Sequence, residues 1–135
     1  MKKICLVLVI ASMFVSCQKE ESGTMLDVIN LEVKQADWSI GSDANGLNSY
    51  YYCEFAMPEI TSYVYRKGSV QVYNVKGGAQ QVLPYVRHYQ NAEGALWTQT
   101  IDADFATGNL IIYVTNSDFY METPPAMNFR VVLMW

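Results

Sequence analysis

The chain reads as all-β: a single antiparallel β-sandwich of about seven strands, immunoglobulin-like or jelly-roll-like in plan, behind a lipoprotein signal peptide. Three observations predict it. Apolar and polar residues alternate with the period of two that a half-buried strand requires, turn residues recur between these segments, and nothing after the leader carries an amphipathic helical repeat of useful length.

The leader comes first. Lys2 and Lys3 form a basic start, residues 4–15 are apolar apart from Ser12, and Ser16 offers the small residue that signal peptidases need beside the cut. About twelve apolar positions fall short of the roughly twenty that span a bilayer. Residues 1–16 are therefore expected to be removed rather than to anchor the chain. Phe14, Val15, Ser16 and Cys17 resemble a lipobox, with Phe14 where Leu is usual, which implies acylation of Cys17. Gln18, Lys19, Glu20 and Glu21 resemble the surface-export signal of Bacteroidetes lipoproteins. That likeness implies an outer-membrane lipid anchor through Cys17 with the domain facing the cell exterior; without it, the same residues are a solvated tether and the alternative is a lipoprotein that faces the periplasm.

Residues 17–24 then form the acylated cysteine and acidic tether, and residues 25–135 form one domain large enough for its own core. Loss of the leader removes two lysines and no acid, which moves the formal charge from −4 to −6. So acidic a surface argues against nucleic acid as a partner, because duplex binding neutralises phosphates with Lys and Arg. Cys5 leaves with the leader and Cys17 is expected to carry lipid. Cys53 is then the one thiol left in the processed chain, so the fold stands on its core without an internal disulfide.

Along the domain, Ile29, Leu31 and Val33 alternate with Asn30, Glu32 and Lys34 as the first strand, and residues 41–46 have loop composition. Residues 49–57 form an aromatic strand with Tyr51, Cys53, Phe55 and Met57 on one face and Tyr50, Tyr52 and Glu54 on the other; Pro58 ends it. Residues 59–67 hold one turn of helix, capped by Thr61 and closed by a left-handed Gly68. Val70 and Val72 mark a strand, Gly77 and Gly78 a hairpin turn, and residues 81–89 the returning strand, interrupted at Pro84. Trp97, Ile101, Ala103 and Phe105 share the core face of the next strand, opposite Thr98, Thr100, Asp102 and Asp104. It pairs through Thr107, Gly108 and Asn109 with a strand over 110–115, residues 116–128 form a long loop, and residues 129–135 close the domain as a strand paired within a sheet.

The run Pro58-Glu59-Ile60-Thr61, then Gly68-Ser69-Val70-Gln71-Val72-Tyr73, Leu83-Pro84-Tyr85 and Phe129-Arg130-Val131-Val132 resembles a family of small uncharacterised Bacteroidetes surface lipoproteins. The resemblance covers roughly residues 25–135 and implies the compartment and the β-sandwich. In relatives the domain sometimes follows a collagen-like stalk. The family implies no activity.

Candidate chemistry is sparse. His88 is the single histidine, without a Gly-x-Ser-x-Gly or His-Glu-x-x-His pattern, and reads as a surface or structural residue. Asp102 and Asp104 could begin a calcium site but read as solvated strand-face acids; Asp37, Asp43 and Asn45 read as turn residues; Cys53 reads as an inert core thiol. No cofactor or metal is expected. The aromatic residues carry the functional colour: Tyr50, Tyr52, Tyr85, Tyr89 and Tyr120 fall on outer faces or loops, where rings can stack on sugars or anchor a protein. The long loop brings Phe119 and Tyr120 to a shallow patch with one or more of Tyr85, His88 and Tyr89; the competing reading folds Phe119 and Tyr120 back over the open end of the core. The chain is thus expected to be a non-catalytic binding or interaction module for glycan or protein. The alternatives are a structural protein that caps or spaces an assembly and, remotely, a hydrolase.

Overall fold

A computed structural model describes residues 23–135; the leader, Cys17, Gln18, Lys19, Glu20 and Glu21 lie outside the described residues. Two antiparallel sheets make a β-sandwich. One holds β1 (Leu26–Val33), β4 (Ser69–Lys76), β5 (Ala79–Val82) and β9 (Met127–Met134) in the order β1-β9-β4-β5. The other holds β2 (Ser39–Ser42), β3 (Ser49–Met57), β6 (Tyr85–Gln90), β7 (Leu96–Ala106) and β8 (Gly108–Asn116) in the order β2-β3-β8-β7-β6.

The strands number nine rather than about seven, for two reasons. Ser39–Ser42 pairs with β3 although its four residues have loop composition: a Cβ at Gly41 would come within 2.6 Å of the Tyr50 ring, so the glycine makes room for that ring. The expected strand over 81–89 is two strands in different sheets. Pro84 lacks a ladder donor, and Leu83-Pro84, whose peptide is cis, carries the chain from β5 across to β6.

The core lies where the alternation places it. Tyr51 and Met57 of β3, Ile101 of β7, Leu110, Ile112 and Val114 of β8, and Phe129, Val131 and Leu133 of β9 are buried together. Cys53 and Phe55 pack against them half-buried, and burial followed by the Asp37 charge pushes the Cys53 thiol upward, so it stays protonated. Gly77 and Gly78 both take positive φ, 58° and 80°, as a two-residue turn between Lys76 and Ala79 demands.

The helix is α1 (Ser62–Lys67), and the Thr61 hydroxyl accepts the Val64 N–H at its start. Gly68 is not left-handed: its φ is −95°. Glycine is needed there because a Cβ would lie 2.5 Å from the Met134 carbonyl and 2.9 Å from that of Val64, where helix and β9 close on each other.

The burial expected along β7 needs correction. Ile101 is 4 % exposed, but Phe105 is 39 % exposed and Trp97 is half-buried. All three do face inward. β6 pairs with β7 only over residues 96–101, so β7 is an edge at Phe105, which is covered edge-on by Tyr65 of α1 at 6.1 Å. Trp97 stands at the opposite end, where the sheets part.

The registers define two ends, about 26 Å apart by the length of an eight-residue strand. The chain enters at Met25, which pairs with Trp135, beside α1 and the β7–β8 turn. At the far end lie the β4–β5 and β6–β7 turns and residues 117–126.

Candidate functional site

The inner face of the sandwich changes character toward that far end. On β4, Val70 and Val72 give way to Asn74 and Lys76; β5 faces in with Gln81, β6 with Arg87, β7 with Gln99 and β8 with Asn116. Polar side chains at inward positions can be buried only with hydrogen-bonding partners. Here the sheets part into a trough. It consists of two adjoining hollows of about 290 and 620 Å³ that share Lys76, Tyr89, Gln99, Pro125 and Met127 in their walls.

One wall is aromatic. Tyr89 and Trp97 are direct partners across β6 and β7, and their rings stack at 5.5 Å with 13° between planes. Arg87, two residues earlier on the same face, sets its guanidinium 5.6 Å from the Tyr89 ring centre. Each of the three side chains thereby limits the freedom of the next, so the wall loses little entropy when a ligand lies against it.

The floor is made of paired amides. Asn74, the one buried polar residue among those described, donates to Gln81 at 2.9 Å, and Gln99 donates to Asn116 at 3.1 Å. Every amide side chain has a donor and an acceptor group, so these pairs fix the amides and Asn74 and Gln81 still bring polar atoms to the trough. Asn116 also donates to the Tyr120 carbonyl at 3.2 Å, which ties the floor to the rim.

The rim is the segment 117–126. Ser117 is pinned to Thr98 by two hydrogen bonds of 2.8 Å, and the Asp118 carboxylate accepts the Tyr120 N–H. Farther along, the Trp38 indole donates to the Pro125 carbonyl at 3.2 Å. Phe119 sits at φ 53°, a left-handed conformation that costs a bulky residue about 1–2 kcal/mol. Neither ring folds back over the core: Phe119 is 40 % and Tyr120 68 % exposed.

The expected patch is thus divided. Tyr120 and Tyr89 line the larger hollow, and Tyr85 lines the smaller one. His88 does not join them. It alternates with Tyr89 and points from the outer face, where its Nδ1 lies 2.8 Å from the Thr98 hydroxyl. Phe119 is at the rim but lines neither hollow. Tyr85 and Tyr89, expected on an outer face, face inward. Trp97, Gln99, Asn74, Gln81, Lys76 and Arg87 belong to the trough without having been singled out.

Elsewhere, Asp102 and Asp104 stand on the outer face of the five-stranded sheet. Burial and then the neighbouring Asp104 charge push the Asp102 carboxyl above the usual range, and burial followed by Asp104 does the same to the Tyr113 phenol. No group of three or more metal-ligating side chains occurs among the described residues. Asp43 accepts the Leu47 and Asn45 N–H groups, and the Leu47 bond leads in holding its carboxyl below the usual value. That is turn chemistry. Among the described residues no helix is long and apolar enough to cross a membrane.

Fold and site together define a β-sandwich with an open, aromatic-walled end. Comparison with protein-family models, curated proteins and solved structures found no match.

Proposed function

We propose that this protein is a lipid-anchored, non-catalytic binding module that faces the cell exterior and takes a glycan in the trough between its sheets. The stacked pair Tyr89 and Trp97 above an amide floor carries this reading. A pyranose offers C–H groups on one face, which suit an aromatic plane, and hydroxyls at its edge, which suit amides. Arg87 at one end, Lys76 between the two hollows, and Asp118 and Glu122 at the other end add polar contacts along its length. The anchor is the acylated Cys17, and Gln18, Lys19, Glu20 and Glu21 act as the export signal; this part rests on the residues of the leader alone.

Glycan-array binding by the processed protein in detergent tests the ligand class. Binding is expected to fall at least tenfold in Trp97→Ala and in Tyr89→Ala, and to stay unchanged in His88→Ala, whose side chain is on the other face. An array that retains no protein, or binding that survives loss of both rings, eliminates the glycan reading and leaves a protein ligand or a structural role.

A further inference from the structure

The end of the sandwich opposite the trough is where the chain enters, and it is apolar at its surface. Leu26, Met25, Tyr63, Tyr65, Phe105 and Trp135 are all exposed there. They form a connected surround: Met25 pairs with Trp135 through two backbone hydrogen bonds of 2.7 and 3.1 Å, Trp135 abuts Gly68 at the end of α1, and Tyr65 of α1 meets Phe105. Arg66 and Lys67 in the last turn of α1 add two cations. The helix is held beneath by Val64 and Ile60, both buried, so its tyrosines are not displaced core residues.

We infer that this end of the domain rests on the membrane that holds the lipid of Cys17, with Trp135, Tyr63 and Tyr65 at the headgroup level. The inference rests on the anchoring proposed above. Five residues separate Cys17 from Gly23, so the domain's first described residue lies at most about 20 Å from the anchored cysteine. A tether that short keeps this end within reach of the bilayer and gives the contact a high effective concentration, so a weak surface affinity suffices. Trp and Tyr favour the membrane interface because each has an apolar body and a polar tip, and Arg66 and Lys67 favour anionic headgroups. The trough occupies the opposite end of the strands, so this contact turns it away from the bilayer.

The test uses the full chain, processed in cells and reconstituted into vesicles of phosphatidylcholine with one-fifth phosphatidylglycerol, with and without brominated acyl chains. Brominated lipid is expected to quench part of the tryptophan emission. That quenching should vanish in Trp135→Phe, persist in Trp97→Phe, and weaken in the double variant Tyr63→Ser, Tyr65→Ser, while all four proteins float with the vesicles. Protein that floats but shows equal emission in brominated and plain vesicles overturns the docking and leaves the anchor standing. Protein that does not float, with no lipid mass on its N-terminal peptide, overturns both.

Discussion

Replacing Phe129 and Phe105 by alanine, singly, separates the true core from the inward-facing edge. Phe129 lies in an inner strand of its sheet, between Leu31 of β1 and Asn74 of β4, and is 1 % exposed. Its removal leaves a closed cavity and is expected to cost about 3–5 kcal/mol. Phe105 is 39 % exposed. Burying a whole phenylalanine stabilises by about 1.5–3 kcal/mol, so its buried three-fifths are worth about 1–2 kcal/mol, and water fills the gap it leaves. Its edge-on contact with Tyr65 adds about 0.5–1.5 kcal/mol. Urea unfolding reads both values: with a slope of about 2 kcal/mol/M, the midpoint falls by about 2 M for Phe129→Ala and by about 1 M for Phe105→Ala. A double-mutant cycle should find coupling between Phe105 and Tyr65 and none between Phe129 and Tyr65. Equal midpoint losses for the two alanine variants would show that β7 is covered at Phe105 and that the described edge is wrong; no coupling with Tyr65 would refute the edge-on contact.

Three further outcomes are expected. Cys17→Ala should leave the protein unprocessed or unlipidated, read as a shift in mature mass and in detergent partitioning, while alanine at Lys19, Glu20 and Glu21 should keep the lipid and abolish protease access on intact cells. Asp102→Asn should stabilise the domain at neutral pH: the folded state holds the Asp102 proton more tightly than the unfolded chain, so the wild-type carboxyl favours folding below its unfolded pKa and loses that contribution as pH rises through the folded one. The gain over wild type, read from thermal midpoints, should shrink as pH falls through the carboxylate range; a gain independent of pH argues that the charge is not its source.

Alternation placed side chains on faces correctly along β3, where Tyr51, Cys53, Phe55 and Met57 point inward and Tyr50, Tyr52 and Glu54 outward. It could not place the ends of β7 in the same sheet. Phe105 and Trp97 have the right phase and the wrong burial because β6 stops short of one and the sheets part at the other, which are properties of partners distant in the chain. β2 escaped because four residues with a glycine carry no period. The trough was partly legible. Tyr89 and Trp97 are aromatic residues on neighbouring strands, but His88 cannot share a patch with Tyr89, because adjacent strand residues point to opposite sides. The clearest signal, polar residues Asn74, Gln81, Arg87 and Gln99 at inward positions, becomes visible only once the register says which positions are inward.

The placement of β9 governs when the domain can form. It is the last strand made, yet it lies between β1 and β4 and hydrogen-bonds to both. Before residues 127–134 emerge, β1 has no neighbour and β4 has only the four residues of β5. Phe129, Val131 and Leu133, at the centre of the core, are absent as well. Synthesis from the N-terminus therefore yields no stable intermediate that closes the first sheet, and folding waits on contacts far apart in sequence, which are slow to form. Under the export proposed above, the four-stranded sheet therefore stays open until its last strand has followed the rest of the domain across the membrane.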